Sequence, residues 1–365
     1  MGWLSRGSGH VTIVLGGAVP QVYYRQYIGD SILDVPGLKV YITAQSLRTV
    51  AMTLNLKAKI YTDESAARKH LEAIQWPSGP VCPHCGIIGE ATLLEGKSTR
   101  PGVYKCRPCQ QPFSVTVGTV MERSKIPLTK WLLATELLTS SKKGISAHQL
   151  HRMLGVTYKS AWFLAHRIRE AMTPTKAQAT PLGGAGKVVE ADETYLLKAD
   201  GKRKHPSAGG YGHKMKVLSL VERGGKIRSF KIGSASRDEI VPALRANIHP
   251  DSTLHTDGAQ VYKFTGTTAD HESVDHKTAY VRAGKTGPVH TNTLEGFFSV
   301  FKRGMVGTYQ HCGEQHLNRY LAEFDFRMNN RIALGVNDDM RAVKALEGIG
   351  GKRLTYRRTR SATQH

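Results

Sequence analysis

The chain has 365 residues and a formal net charge of +22, with 51 lysines and arginines against 29 aspartates and glutamates. This length allows two or three domains with ordinary cores, and so large a positive excess indicates a polyanionic partner such as nucleic acid, with a merely solvated basic surface as the alternative. No segment approaches the roughly 18 consecutive apolar residues of a membrane span, which argues against an integral membrane protein.

Residues 1–55 show no sustained hydrophobic periodicity, and their glycines and β-branched residues are scattered. Met52 stands shortly before the first amphipathic segment, Glu64–Gln75, which predicts an N-terminal helix within residues 56–78. We therefore expect residues 1–55 to be a non-functional or disordered extension. Our hypothesis is that the working protein starts at Met52.

Four cysteines form two CxxC pairs, Cys82 with Cys85 and Cys106 with Cys109. Two thiolates three positions apart on a tight turn can bind one tetrahedral zinc, and a second pair closes the site. Two disulfides or a redox pair are the alternatives, but four cysteines at this spacing without a secretory signal favour zinc. Residues 79–120 are thus predicted to be a zinc ribbon, which either docks on its neighbours or binds nucleic acid or protein. Cys312 is expected to be a buried thiol.

Residues 121–172 carry apolar side chains at helical spacing. The first predicted helix is Pro127–Ser140. Ser146 is a suitable N-cap for a second helix, Ala147–Met153, and a third follows at Tyr158–Met172. Two helices joined by a short turn favour a DNA-binding helix-turn-helix, although a plain three-helix bundle shows the same pattern. The side chains expected to face DNA from the third helix are Tyr158, Lys159, His166, Arg167 and Arg169.

Residues 173–186 are rich in proline and glycine and are predicted to be a linker. Beyond it the predicted elements are three strands, a helix, a strand, a helix, a strand and a helix, which is the order of the ribonuclease H fold. The ranges assigned to the five strands and to the first and last of these helices are Val188–Asp192, Met215–Glu222, Ile227–Ile232, Arg237–Ile248, Ser252–Thr256, Ser273–His276 and Asn292–Arg303. The predicted fold class is multidomain α/β, with a zinc ribbon, a helix-turn-helix-like segment and a ribonuclease H-like core with a mixed sheet over residues 187–335.

Three acidic residues fall at distinctive positions in this order. Asp192 ends the first strand, Asp257 follows the fourth, and Glu295 lies on the late helix. The first and fourth strands are neighbours in that fold, so Asp192 and Asp257 should meet across the sheet, and Glu295 would complete the site. Such a site suits Mg²⁺ or Mn²⁺, and two ions can serve phosphodiester chemistry. Lys302, two helical turns after Glu295, is expected on the same helix face.

Each of these acids has another interpretation. Glu190 shares a strand face with Asp192 and is its rival as the first ligand. Asp257 precedes a glycine and could be a simple turn residue. Glu295 could be a surface charge on an amphipathic helix, and Asn292, one turn earlier, could supply the third ligand through its amide oxygen.

Three stretches resemble the bacterial insertion-sequence DDE transposases of the fifteen-ninety-five family. They are residues 189–195 (VEADETY), 255–262 (HTDGAQVY) and 290–304 (HTNTLEGFFSVFKRG). Residues 320–331 are similar to the C-terminal helix of that family, and the resemblance runs from about Trp76 to Arg331.

The resemblance implies Asp192, Asp257 and Glu295 as catalytic acids that bind magnesium, with Lys302 as their basic companion. It further implies a zinc ribbon before a ribonuclease H-like core, and DNA contacts by Lys302 and Arg303. Members of that family vary between acid and amide at the third ligand, so Asn292 stays an alternative to Glu295.

The predicted function is a transposase that binds the inverted repeats of an insertion sequence and catalyses metal-dependent DNA cleavage and strand transfer. Its expected partners are double-stranded DNA and further copies of itself, because two DNA ends must be handled together, and it is expected in the bacterial cytoplasm with the nucleoid. Residues 336–365 are predicted to be a basic C-terminal tail. The alternatives are a nuclease of the same fold without strand transfer and a zinc-ribbon transcription regulator, which would leave the acids unexplained.

Overall fold

The computed structural model describes residues 31–35, 38–42, 56–175, 180–199, 213–263, 266, 268, 270–285 and 287–355. Strands β1 (Ser31–Val35) and β2 (Leu38–Ile42) form an antiparallel pair within a unit, residues 1–55, that is separate from residues 56–365. These two strands are ordered, and the expectation of a non-functional extension stays a prediction. The rest of that expectation, including the start at Met52, lies outside the described residues.

The first helix and the ribbon follow their sequence signals. Helix α1 (Glu64–Gln75) begins at Asp63, whose carboxylate accepts hydrogen bonds from the backbone N–H groups of the first turn. Strands β3 (Ala91–Leu93), β4 (Tyr104–Cys106) and β5 (Pro112–Phe113) then form a small antiparallel sheet in that order. The rings of Trp76, Tyr104 and Phe113 pack together with centroids 5.3–5.8 Å apart.

Three helices follow at almost the predicted positions: α2 (Leu128–Ser140), α3 (Ala147–Leu154) and α4 (Tyr158–Met172). Ser146 caps α3 by accepting from the backbone of Gln149, and Thr157 caps α4 in the same way. Gly155 ends α3 in the left-handed conformation, with φ of 59°, which glycine adopts without steric cost. No helix among the described residues is long and apolar enough to cross a membrane.

The predicted tail, residues 336–365, is wrong as far as residue 355, because helix α8 (Asp338–Glu347) packs into the helical region. Ala345, Leu346 and Ile349 are buried in the same hydrophobic core as α1, α2 and α4. The many charged residues of this segment favoured a solvated tail in the sequence analysis, although its apolar residues lie at helical spacing. Residues 356–365 lie outside the described residues.

The remaining elements form a ribonuclease H-like core. Its five-stranded mixed sheet has the order β10-β9-β6-β7-β8, in which β6, β7 and β8 are antiparallel and β9 and β10 run parallel to β6. The strands are β6 (Val188–Lys198), β7 (Lys214–Glu222), β8 (Ile227–Ile232), β9 (Thr253–Asp257) and β10 (Asp270–Val274). Helix α5 (Arg237–Asn247) packs on one face, and α6 (Asn292–Arg303) and α7 (Leu317–Asn329) pack on the other.

Four details of this core differ from the sequence prediction. Strand β6 pairs with β7 as far as Lys198, so Asp192 lies inside the strand rather than at its end. Strand β10 comes earlier than predicted, and an unpredicted hairpin, β11 (Arg282–Gly284) with β12 (Gly287–Val289), precedes α6. The predicted linker also ends too late: Leu182 is buried and its backbone hydrogen-bonds around Ile248, so the core begins before Lys187.

A buried ionic network joins the helical region to the core. Glu323 of α7 is fully buried and accepts from Arg169 Nε of α4 at 2.6 Å, from the Tyr309 hydroxyl at 2.5 Å and from Arg327. Arg327 also donates to the carbonyl of Leu138 in α2. Although burial opposes ionisation, these two arginines hold the pKa of Glu323 below its ordinary value.

We expect Arg169→Ala to lower the free energy of unfolding by about 3–5 kcal/mol, because it removes one cation from a fully buried carboxylate. Urea denaturation followed by tryptophan fluorescence measures this change. Lys142→Ala removes an exposed cation from the loop after α2 and is the matched control, with little expected effect. Equal urea midpoints for the two variants would contradict a structural role for Arg169.

Candidate active site and zinc site

The four ribbon cysteines lie together as a zinc site requires. Their sulfur atoms are all within 4.8 Å of one another, and the pairs Cys82–Cys109 and Cys85–Cys106 are 3.6 Å apart. Sulfur atoms at about 2.3 Å from one tetrahedral zinc are separated by roughly 3.8 Å, so the cluster fits a structural zinc ion. Cys312 is buried elsewhere and donates to the carbonyl of Gly313.

Purified protein should contain about one zinc per chain, and Cys106→Ser should lose most of it, because three thiolates and an open position bind zinc less well. Elemental analysis by mass spectrometry after gel filtration measures the ratio. Cys312→Ser, which removes a buried thiol outside the cluster, should keep its zinc. Retention of zinc by Cys106→Ser would refute the ligand set.

Strand register places Asp192 and Asp257 on one face of the sheet. The parallel pairing of β6 with β9 aligns Val188 with Thr253 and Glu190 with His255, and the same offset carried two residues further sets Asp192 opposite Asp257. Side chains two positions apart share a face of a strand, so both carboxylates project to the side on which α6 packs. The proximity expected from the sequence is therefore present at the centre of the sheet.

Glu190, on the same face of β6, holds the amino end of α6. It is fully buried, and its Oε2 accepts from the backbone N–H groups of Thr293 at 3.0 Å and Leu294 at 3.2 Å. Its Oε1 accepts from the Thr293 hydroxyl at 2.9 Å and from Arg223 Nε at 3.1 Å. With both oxygens used in this way, Glu190 is a helix cap, and its interpretation as the first metal ligand is wrong.

Helix α6 presents the candidates for the third ligand. Glu295 is half-buried, and its Oε1 lies 3.3 Å from Nδ1 of His276. Asn292, the first residue of the helix, is exposed, as are Lys302 and Arg303 in its last turn. Of the two candidates, only Glu295 is charged, and its carboxylate is close enough to Asp192 to raise the pKa of that residue.

The electrostatics of the site reflect uncompensated negative charge. Burial, and next the neighbouring Asp257 carboxylate, raise the pKa of Asp192 from 3.8 to about 7, and Glu193 and Glu295 add to this effect. Among the described residues no ion pair reaches Asp192 or Asp257. Hard divalent cations prefer clustered carboxylate oxygens of this kind. The three carboxylates do not share a single ligand sphere as the cysteines do, since only the cysteine sulfurs among the described residues converge so closely.

Glu193 projects from the opposite face of β6. It lies beside Tyr262, which is fully buried between the sheet and α5. Burial, with the nearby Asp257, raises the pKa of Glu193 to about 7.

Three of the side chains expected to face DNA from α4 are buried, and the expectation is wrong for them. His166 packs among Trp162, His316 and Tyr320 with ring centroids 4.2–5.6 Å away, and burial lowers its pKa to about 2. Arg167 and Arg169 are buried as well. Arg167 donates to the carbonyls of Glu122 and Leu354, and Arg169 pairs with Glu323. These polar side chains hold the fold together.

The exposed part of the helix pair lies at the start of α4. Tyr158 and Lys159 are exposed, and the ring of Tyr158 stacks on that of His148 in α3 with centroids 4.2 Å apart. Arg152 of α3 is exposed too. His148 and Arg152 were not among the side chains expected to face DNA, although both lie near the turn of the helix pair.

Known families match both halves of this architecture. A family model described as a transposase zinc-ribbon domain matches residues 62–111, and one described as an ISXO2-like transposase domain matches residues 181–329. These two parts of the chain match the domains of IS1595 transposases. The first match includes α1, and the second covers the sheet, α5, α6 and α7, so both candidate sites lie within family domains.

A relative in Halobacterium salinarum extends this assignment. That protein, described as an uncharacterized protein in transposable element ISH50, is 28% identical over 291 residues, which span 74% of this chain and 92% of the relative. Among solved structures, a pre-cleavage Mos1 transpososome covers 55% of this chain and 70% of its own, with 13% identity and a TM-score of 0.23. That TM-score is too low for any conclusion about this transposase.

Asp192→Asn should stabilise the protein in buffer without added divalent ions, and more at about pH 8 than at about pH 5. The folded-state pKa of Asp192 is raised, so its ionisation costs stability as the pH rises from 3.8 through about 7, and asparagine removes that cost. Thermal midpoints at the two pH values measure the effect.

Asp238→Asn, which neutralises an exposed carboxylate on α5, is the control and should show no such pH-dependent gain. Added Mg²⁺ should raise the midpoint of the unmodified protein and leave Asp192→Asn nearly unchanged. A gain that is the same at both pH values would contradict the electrostatic origin.

Proposed function

We propose that this transposase cleaves and joins DNA at the ends of a mobile element, with Asp192, Asp257 and Glu295 as the ligands of divalent cations. One observation supports this most. Asp192 and Asp257 project from adjacent strands to the face covered by α6, and Glu295 on α6 lies close enough to raise the pKa of Asp192. Three half-buried acids that no lysine or arginine among the described residues pairs with are costly for a fold, and metal binding is a chemical reason to keep them.

Each acid would be held by its own element. Asp192 lies on the central strand, where its Oδ1 accepts from the backbone N–H of Glu193 at 2.7 Å. Asp257 ends β9, and its Oδ1 accepts from the backbone N–H of Ala259 at 3.0 Å. Mg²⁺ or Mn²⁺ bound by these acids would activate the attacking hydroxyl and stabilise the leaving oxygen of a phosphodiester. Lys302, exposed two turns after Glu295, would contact a phosphate of the DNA backbone.

The exposed surface at the α3–α4 turn would bind the terminal inverted repeats. His148, Arg152, Tyr158 and Lys159 supply two stacked rings and two basic side chains there, which suits a DNA groove and its phosphates. The net charge of +22 would add salt-dependent attraction to any DNA. Because two element ends must be joined to one target, we further propose that the active form contains at least two copies of the chain.

The test uses a duplex that carries the terminal inverted repeat found beside this gene, a supercoiled plasmid as target, and Mg²⁺. Full-length protein should nick the duplex at the repeat end and join it to the plasmid. Asp257→Ala and Glu295→Gln should lower cleavage by orders of magnitude, because each removes a charge that a divalent cation needs. Asn292→Ala should cost less, since a neutral amide contributes no charge.

Repeat binding, measured by gel shift, should survive the acidic-residue changes, whereas Lys302→Ala should reduce the salt slope of binding by about one unit. An inactive Asn292→Ala beside an active Glu295→Gln would move the third ligand to Asn292. Cleavage without joined products would indicate a nuclease. Metal-dependent cutting that persists in Asp257→Ala would refute the site.

A further inference from the structure

The loop between β10 and β11, Asp275–Val281, is an ordered turn beside the candidate active site. The Asp275 carboxylate accepts from the backbone N–H of Lys277 at 2.9 Å. The Asp275 carbonyl accepts from the backbone N–H groups of Thr278 and Ala279 at 3.0 Å and from the Thr278 hydroxyl at 2.9 Å. These bonds give the loop a fixed local shape. We call it the site loop.

Its first two residues touch the segments that carry two of the three acids. A Cβ atom at Gly258, directly after Asp257, would lie 3.4 Å from the Cβ of Asp275. On the other side, His276 lies 3.3 Å from the Glu295 carboxylate and 3.3 Å from the hydroxyl of Thr291. The site loop therefore lies between the segments that carry Asp257 and Glu295.

The end of the site loop presents an aromatic ring to solvent. Tyr280 is 67% exposed, its ring centroid lies 5.6 Å from that of His276, and its neighbour Val281 is 46% exposed. The hairpin that follows is fastened to the core, since Arg282 Nε donates to the carbonyl of Ser273 at 2.6 Å. Tyr280 is thus an exposed aromatic side chain on an anchored support.

The surrounding charge selects what this ring can bind. A phosphate would be bound by the cations that the three acids hold, whereas a base is neutral and has a π face that stacks on aromatic side chains. The exposed Lys277 at the same loop can still contact a phosphate further along the strand. In a nucleic-acid strand that crosses the site, the group that contacts the tyrosine ring would therefore be a base.

We propose that Tyr280 stacks on an unpaired base of the DNA end at the candidate active site and so positions the neighbouring phosphodiester. This inference takes its substrate, DNA, from the proposed function. It assigns a role in the site to a residue other than the three acids and Glu190. Tyr280 acts through base stacking, so its ring and not its hydroxyl carries the role.

The test has one arm that needs no knowledge of the repeats. A short oligothymidylate carrying one 5-iododeoxyuridine is irradiated with the full-length protein, and the attachment point is mapped by mass spectrometry. The photoproduct should map to Tyr280, persist in Tyr280→Phe at that position, and disappear from it in Tyr280→Ala. Ile332→Ala, which removes a 74% exposed apolar side chain from the turn after α7, is the control and should crosslink as the unmodified protein does.

In the second arm, Tyr280→Ala should slow cleavage of the inverted-repeat duplex by about fivefold to a hundredfold, the usual range for one lost base–aromatic stack. Tyr280→Phe and Ile332→Ala should cleave at the normal rate, and repeat binding should be unchanged in all three. If no protein cleaves the duplex, the proposed function fails while the crosslinking arm still decides the base contact. Normal cleavage and crosslinking by Tyr280→Ala would overturn the inference. So would a loss of self-association in that variant with crosslinking intact, which would make Tyr280 a contact between copies.

Discussion

The capping of α6 by Glu190 is the contact on which the candidate active site depends. One buried carboxylate accepts two backbone N–H groups and a hydroxyl from the first turn of the helix and pairs with Arg223. A buried charge is tolerated only when hydrogen bonds replace its water, and the amino end of a helix supplies donors and a favourable dipole. Asp192 lies two residues after Glu190, and Glu295 lies two residues after Thr293. The Glu190 side chain therefore sets the distance between β6 and α6 at the point where the acids lie.

A second buried carboxylate secures the other end of the same segment. After α6 the chain continues through a π-helical turn, Gly304–Tyr309, and the Tyr309 hydroxyl donates to Glu323. Gly144, with φ of 83°, passes so close that a Cβ atom there would lie 1.8 Å from the Tyr309 oxygen. The acid-bearing helix is thus held at its start by the sheet and beyond its end by a network that includes the helical region. The ribbon, the helices and the ribonuclease H-like core are consequently packed as parts of one structure in residues 56–355.

Local patterns in the sequence predicted much of this arrangement. Cysteine spacing predicted the converging sulfurs, and the cap Ser146 predicted the start of α3, because both are properties of a few neighbouring residues. Burial of polar side chains was not predictable in this way. Arg169 looked like a surface cation because its partner, Glu323, is 154 residues away. Glu190 looked like a ligand for the same reason, since its partners in α6 are more than 100 residues distant. Whether such a polar side chain is buried depends on a partner far away in the chain, and a single sequence does not reveal which residue that partner is.

The constant register of β9 with its neighbours has a consequence for how this protein tolerates change. Between Thr253 and Asp257 every residue of β9 pairs with one residue of β10, so an added or removed residue moves the last side chain to the other face of the sheet. A substitution of Leu254 by another apolar residue alters only packing under α5. An insertion of one residue at that point would keep the backbone ladder but turn the Asp257 carboxylate toward the buried Tyr262. In this strand, length is therefore a stricter requirement than composition.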